Sequence, residues 1–281
     1  LALGARPVEA VPGALTFRGP QDAARAAALV DALRRGAIRR AAFVVPAGTI
    51  WPMPLYELAL QAAAALASTT AGGELTVVTP EARPLAAFGE QASDAVAAML
   101  AERGVALRTG TVARILADGR LDLGPDRALA ADAAVALPRL VGPRPRGVPA
   151  DALGFVPVDA YTRVREMDGV HAVGDVAAHG VKQGGLAAQQ ADVAAAVLAA
   201  RAGAPVTPEP YHPVLRGLLL TGGGATYVRH DPAGASQVSE EMLWWPPGKV
   251  AGRHLGPYLA GRLDLGDRPE AAAALARDVA A

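Results

Sequence analysis

The sequence predicts an α/β protein whose main unit lays helices against a mainly parallel sheet in three layers. Strand-like and helix-like runs alternate between about residues 14 and 137. The strand-like runs "AAFVV", "LTVV" and "AAVAL" are apolar but for one Thr, as strands covered on both faces tend to be. Hydrophobic residues make up 52% of the 281, enough for a sizeable core.

The elements follow in order. "LALGA" is apolar and reads as an edge strand or the end of a longer unit, followed by the turn-rich "PVEAVPG". "DAARAAALVDALRRG" reads as a helix that stops at Gly36. "RRAAFVVP" is a short buried strand, and "PLYELALQAAAALAS" a helix opened by Pro52 and Pro54. "ELTVVTPE" is a strand and "EQASDAVAAMLAERG" a helix ending at Gly104. "VALRTGTVARILADGRLDLG" alternates across "ADGR" and predicts antiparallel strands. "DAAVALP" is one more buried strand, and the Pro, Gly and Arg-rich "PRLVGPRPRGVPADALG" marks a boundary. "FVPVDAYTRV" is strand-like. "VLRGLLLTGGGATYVRHD" predicts a hairpin, and "PPGKVAGRHLGPYLAGRL" a helix with irregular flanks.

Composition removes several function classes. Zero net charge leaves no electrostatic footprint for nucleic acid. The absence of Cys removes disulfides and thiolate chemistry from these residues. No apolar run reaches the ~20 residues a membrane span needs. His171, His179, His212, His230 and His254 lack metal-ligand spacing, and no metal is expected. No G-x-S-x-G nucleophile turn is present.

The stretch "GVHAVGDVAAHGVKQGGLAAQQADVAAAVLAA" carries the clearest chemistry. An apolar strand ends in Gly174-Asp175, and a loop through Lys182 and Gln183 feeds a long helix. An Asp past a buried strand end accepts hydrogen bonds from ligand hydroxyls. A helix N-terminus favours nearby negative charge. A strand–loop–helix unit with a solvated, capping Asp fits the same residues. Lysine occurs only at Lys182 and Lys249 in an Arg-rich chain, which makes Lys182 slightly more informative.

This stretch resembles the second flavin-binding motif of the FAD-dependent pyridine nucleotide-disulfide oxidoreductase superfamily. The resemblance covers residues 1 to about 203. It implies that Asp175 holds the ribityl chain of FAD, while Lys182 and the Gln183 backbone stabilise the reduced flavin. "KQGGLAAQQA" resembles two branches. In type II NADH:quinone oxidoreductase a Gln-Gln pair lies near flavin and quinone, which places Gln189 and Gln190 on the acceptor side. The family's earlier Gln on this helix is Gly here. In sulfide:quinone oxidoreductase a Lys stands where Lys182 does, but that branch works through cysteines. "LALGARP" resembles the segment leaving the FAD domain, with Gly4 and Arg6 matching.

The resemblance assigns residues 1–14 to the end of an FAD-domain segment and 15–146 to a Rossmann-like, NAD-type domain. Residues 147–204 become the returning FAD-domain segment and 205–281 a small α+β C-terminal interface domain. The NAD-type domain should carry G-x-G-x-x-G after "AAFVVP". The turn at residues 46–52 instead keeps only Gly48, with Pro46, Trp51 and Pro52, so ordinary NAD(P)H binding is expected to be compromised. The opening G-x-G-x-x-G of the FAD domain is also missing. "TGGGATY" has Gly222 and Gly224 but reads as a hairpin turn. The chain is therefore expected to be an incomplete, inactive fragment with weak or absent FAD binding.

The functional expectation is a flavin-dependent oxidoreductase that passes electrons from a small donor, NAD(P)H included, to an acceptor such as a quinone. A cysteine-free sulfide:quinone oxidoreductase-like enzyme using another reductant is one alternative. A non-catalytic assembly module is the other. No general acid or base is assigned. Trp244 and Trp245, beside prolines, basic residues and Tyr258, are weighed as a peripheral membrane contact or as packing on the FAD domain or a homodimer partner. The location expected is cytoplasmic, at the inner face of the membrane.

Overall fold

The computed structural model describes residues 4–125, 127–234, 236–246 and 248–262. The readings made for residues 1–3 and 263–281 lie outside the described residues. The elements run in chain order as follows. They open with β1 (Arg6–Val8), β2 (Leu15–Thr16), α1 (Ala23–Arg34), β3 (Arg40–Val44), α2 (Met53–Ala67) and β4 (Glu74–Val78). α3 (Glu90–Glu102), β5 (Val105–Arg108), β6 (Arg114–Ile115), β7 (Leu121–Asp122), β8 (Ala128–Leu129) and β9 (Ala133–Ala136) follow. The chain then forms β10 (Arg139–Val141), α4 (Gly184–Arg201), β11 (Leu215–Leu220), β12 (Ala225–His230), β13 (Gln237–Ser239) and α5 (Leu255–Arg262).

Five strands make one parallel sheet in the order β2-β9-β3-β4-β5. Its central strands β3, β4 and β9 are largely apolar because both of their sides are covered. Ala41, Phe43 and Val77 join Leu33 of α1, Leu60 of α2 and Val96 of α3 in one core. Ala42, Val44 and Val78 face the other way, against Ala113 and Leu121. Leu121 belongs to the antiparallel meander β6-β7-β8. Consecutive residues of β3 thus serve two different layers, the direct result of the two-residue pleat. At the opposite end of the sheet, Asp132 accepts the Arg39 and Arg40 N–H groups at 3.0 and 2.9 Å and pairs with the Arg40 guanidinium at 2.6 Å. That bond holds the Asp132 carboxyl down at about 2.

A third sheet, β11-β12-β13, covers the outer surface of the helices. Leu215, Leu219 and Val228 share the core of Met53, Tyr56 and Phe88. Helix α2 is therefore buried on two faces, which explains why "MPLYELALQAAAALA" carries a single charge. That charge, Glu57, is 6% exposed. Its Oε1 accepts the Leu220 N–H at 2.9 Å and the Lys249 ammonium.

Two segments connect the parallel-sheet unit to the rest. β1 and β10 pair antiparallel, Arg6 opposite Val141. Residues 147–178 have a small core of their own around Val156, Val164, Ala172 and Ala177. Gly142 passes so close to Gly154 that an added Cβ would lie 2.0 Å from the Gly154 carbonyl. The Gly142 N–H donates to Leu153 O at 2.8 Å.

The structure corrects some of the element predictions. "VALR" is β5 of the parallel sheet, pairing with β4, while the meander begins at Arg114. Alternation alone does not distinguish the edge of a parallel sheet from a hairpin strand, and β5 has the half-exposed pattern of an edge. "FVPVDAYTRV" and "VHAV" do not build ladders. Single bridges hold them, Val156 to Ala177, Val158 to Val164 and Arg163 to His171. The TGGGATY turn is a hairpin turn, as read, between β11 and β12.

Gly142→Ala should destabilise the protein by at least about 3 kcal/mol, because neither backbone at this crossing can give way. A shift of the denaturant midpoint of less than a third of that, at unchanged slope, would show that the crossing relaxes.

Candidate functional site

The site grows from the loop between residues 173 and 184. Val173 is extended, and the chain then turns at Gly174, whose φ of +73° lies in the left-handed region. The turn is fixed by Gln190 of α4, whose Oε1 accepts the Gly174 N–H at 2.6 Å. An added Cβ on Gly174 would meet Ala187 at 3.3 Å, so the turn lies tight against α4. Asp175 follows as the first acidic residue of a short 3₁₀ turn. Its carboxylate makes no hydrogen bond to another described residue and remains half-buried.

Lys182 is 5% exposed. Its ammonium donates to the Ala177 carbonyl and lies 4.1 Å from the centroid of the Phe155 ring. Burial pulls its pKa from 10.5 down to about 8, although Asp175 and Asp151 favour the charged form. His179 lies in the same loop, its ring 5.0 Å from that of Tyr211. Burial, with the Lys182 charge, lowers its pKa below the ordinary value.

Gln183 caps α4. Its Oε1 accepts the Leu186 N–H at 2.9 Å, while its Nε2 donates to Arg216 O and Lys249 O at 3.2 and 3.0 Å. One amide therefore caps a helix and fastens that helix to the C-terminal sheet and its following loop. The N–H groups of the first helical turn, at Gly184 and Gly185, have no carbonyl four residues back to bond inside the helix.

Gly174, Asp175, Lys182 and Gln183 are thus brought together around one loop. Gly4 is exposed, with nothing within 4 Å of an added Cβ. Gln189 and Gln190, expected on the acceptor side, turn their amides to the fold. Gln189 donates to Gly185 O and Val214 O at 3.2 and 2.9 Å and accepts the Val214 N–H at 3.0 Å. Gln190 presents Gly174. Both amides are buried, and Gln189 bridges to Val214 while the Gln190 Oε1 is taken by the Gly174 N–H. Trp244 and Trp245, weighed as a membrane contact or as packing, are 3% and 9% exposed. Trp244 meets Tyr227 edge-on at 4.7 Å and donates to Gly248 O at 2.9 Å, closing a small C-terminal core. No described helix is long and apolar enough to cross a membrane.

Phe155 was not visible as a partner of Lys182, because only the fold brings its segment under that loop. The turn at residues 46–52 follows β3 at the carboxyl edge of the parallel sheet. Pro52 and Pro54 bring no N–H, and the Leu55 N–H donates to Pro52 O at 3.0 Å. The Thr49 N–H donates to Pro46 O at 3.2 Å, and Trp51 packs on Phe88 at 5.6 Å between ring centroids. Pro52 and Pro54 thus remove two of the N–H groups that a dinucleotide pyrophosphate draws on at such a helix start. The loop at Asp175 brings together a carboxylate, a buried ammonium and a tight glycine turn.

Comparison with known proteins gives the same fold. The family described as pyridine nucleotide-disulphide oxidoreductase matches residues 1–196. No curated protein matches the sequence. The sulfide:quinone oxidoreductase of the hyperthermophilic bacterium Aquifex aeolicus is similar at a TM-score of 0.71, with 16% identity over 84% of this chain and 62% of that one. A ferredoxin reductase from Rhodopseudomonas palustris gives 0.60 and 19% over 83% and 58% of the two chains. An NAD-dependent persulfide reductase from A. fulgidus gives 0.54 and 19% over 80% and 42%. The chain spans less than two thirds of the length of each.

Because the folded state binds the Lys182 proton less tightly than the unfolded chain, its charge opposes folding fully below about pH 8. The opposition fades as pH rises from about 8 towards 10.5. Lys182→Met should therefore raise stability by about 1 kcal/mol near neutrality, after allowance for the lost Ala177 contact and for solvent screening. The gain should shrink across that alkaline window in denaturant titrations. A gain that is constant with pH would refute the assignment.

Proposed function

This chain belongs to the pyridine nucleotide-disulphide oxidoreductase family, a family of flavin-dependent oxidoreductases, and from that premise we propose that it passes electrons through FAD from a small donor to an acceptor such as a quinone. The observation that carries the proposal is the unpartnered Asp175 carboxylate, held beside buried Lys182 by the Gly174–Gln190 bond. Bound FAD supplies a carrier that accepts electrons from one molecule and releases them to another.

The protein's own residues then have defined work. Asp175 would accept hydrogen bonds from the ribityl hydroxyls of a bound FAD. The Lys182 ammonium and the start of α4 would supply positive potential to stabilise the negative charge a bound flavin gains on reduction. Gln183 keeps the start of α4 fixed against the C-terminal sheet, so the donors do not have to reorganise during transfer. None of the 281 residues is Cys, so none here can carry a persulfide. The similarity in fold to sulfide:quinone oxidoreductase is compatible with a related acceptor reaction driven by another reductant.

The test combines flavin content with anaerobic reduction. Titrated with FAD, the purified protein should bind it weakly, and Asp175→Ala should lower that affinity roughly tenfold. Sulfide, NADH, NADPH and small organic reductants are then added in turn, followed by a quinone. Bleaching by one donor and recovery with quinone support the proposal. FAD affinity that is indifferent to Asp175→Ala removes this residue from the site, and no bleaching by any donor favours an assembly role.

A further inference from the structure

A cavity of about 180 Å³ opens at the carboxyl ends of β2, β9 and β3. The place has topological meaning. β3 sits in mid-sheet, with β4 and β5 to one side and β9 and β2 to the other, and the crevice at such a reversal is where open α/β sheets take ligands. The walls are apolar, from Phe17, Ile50, Trp51 and Leu137, with Lys182 contributing from the loop of residues 173–184. Arg18 stands in the lining as well, but it is turned towards Asp22 at 3.7 Å. An apolar cavity of ~150 Å³ holds one benzene ring, whereas pockets for larger ligands run from roughly 300 Å³ upward.

The chemistry of the walls narrows the occupant further. An ammonium has three donors. Lys182 gives one to Ala177 O, and no other hydrogen bond from it to a described residue is formed. A buried cation that keeps donors beyond its Ala177 bond favours a ring that carries one negative oxygen group, in competition with Asp175 and Asp151, which also act on it. The neighbouring turn offers the opposite of what a dinucleotide requires, since Pro52 and Pro54 have no N–H and Trp51 closes over Phe88.

We infer that this cavity binds a single-ring aromatic carboxylate, its ring between Trp51 and Leu137 and its carboxylate on Lys182, and that it does not bind a dinucleotide. The inference extends beyond the flavin reading. It requires no bound FAD, although Lys182 would lie between the two ligands if both were present.

Benzoate serves as the probe, with the 281-residue protein and no added flavin, followed by calorimetry and by saturation-transfer NMR. Benzoate should bind, and neutral benzamide should bind roughly tenfold more weakly, the loss expected for one charge-assisted hydrogen bond. Lys182→Met should weaken benzoate by a similar factor, and Ile50→Trp, which fills the cavity from its partly exposed rim, should abolish binding. Thermal unfolding of each variant reports its folding, and the benzamide comparison on the unaltered protein reads the charge without any variant. NADH and NADPH should not displace benzoate. Absence of benzoate binding, equal binding of benzamide, binding unchanged by both substitutions, or displacement by NADH at comparable concentration would each overturn the inference. Because flavin is absent throughout, these results are separate from the FAD titration.

Discussion

Helix α2 lies between two sheets, and much of the structure follows from that. A helix covered on one side keeps a polar stripe, but one covered on both sides must be apolar nearly all round. The single exception, Glu57, is tolerated because the Leu220 N–H and the Lys249 ammonium both reach its carboxylate. A buried carboxylate without such partners would oppose folding by several kcal/mol. The same contact aligns the C-terminal sheet on the parallel-sheet unit, since Leu220 ends β11 and Lys249 lies in the loop beyond β13.

That alignment reaches the candidate site through backbone carbonyls. Arg216, four residues before Leu220, and Lys249 itself accept the two hydrogen bonds of Gln183. Gln183 in turn caps α4, and Gln190, two turns along, fixes the Gly174 turn before Asp175. The position of the Asp175 carboxylate therefore depends on a chain of contacts that begins at the outer face of α2. Lys182 sits inside this framework, with one hydrogen bond and an aromatic ring in place of water, which is why its proton is held weakly.

Much of this was legible in the residues. The apolar runs "AAFVV", "LTVV" and "AAVAL" required a doubly covered sheet, and the glycines at 36 and 104 marked helix ends. The Gly-Asp turn and the loop to α4 were legible because a sharp turn, a short acid and a helix start leave local traces. Other features left none. Nothing near "VALR" says whether its neighbour is a parallel strand or a hairpin arm. Trp244 and Trp245 look interfacial beside their prolines, but Tyr227 and Gly248 decide their burial. The amides of Gln189 and Gln190 look alike in sequence, yet one bridges to Val214 and the other serves Gly174.

The sequence by itself determined the periods of burial, the helix stops, the family resemblance and the loss of N–H donors at Pro52 and Pro54. These are properties of single residues or of neighbours in the chain, where covalent geometry and local spacing act directly. Only the tertiary structure decided that Phe155 lies under Lys182, that Glu57 meets Lys249, and that Trp51 and Leu137 enclose a cavity of one ring's size. Those pairings join segments far apart in sequence, and their energies come from the exclusion of water between surfaces that have no contact until the chain has folded.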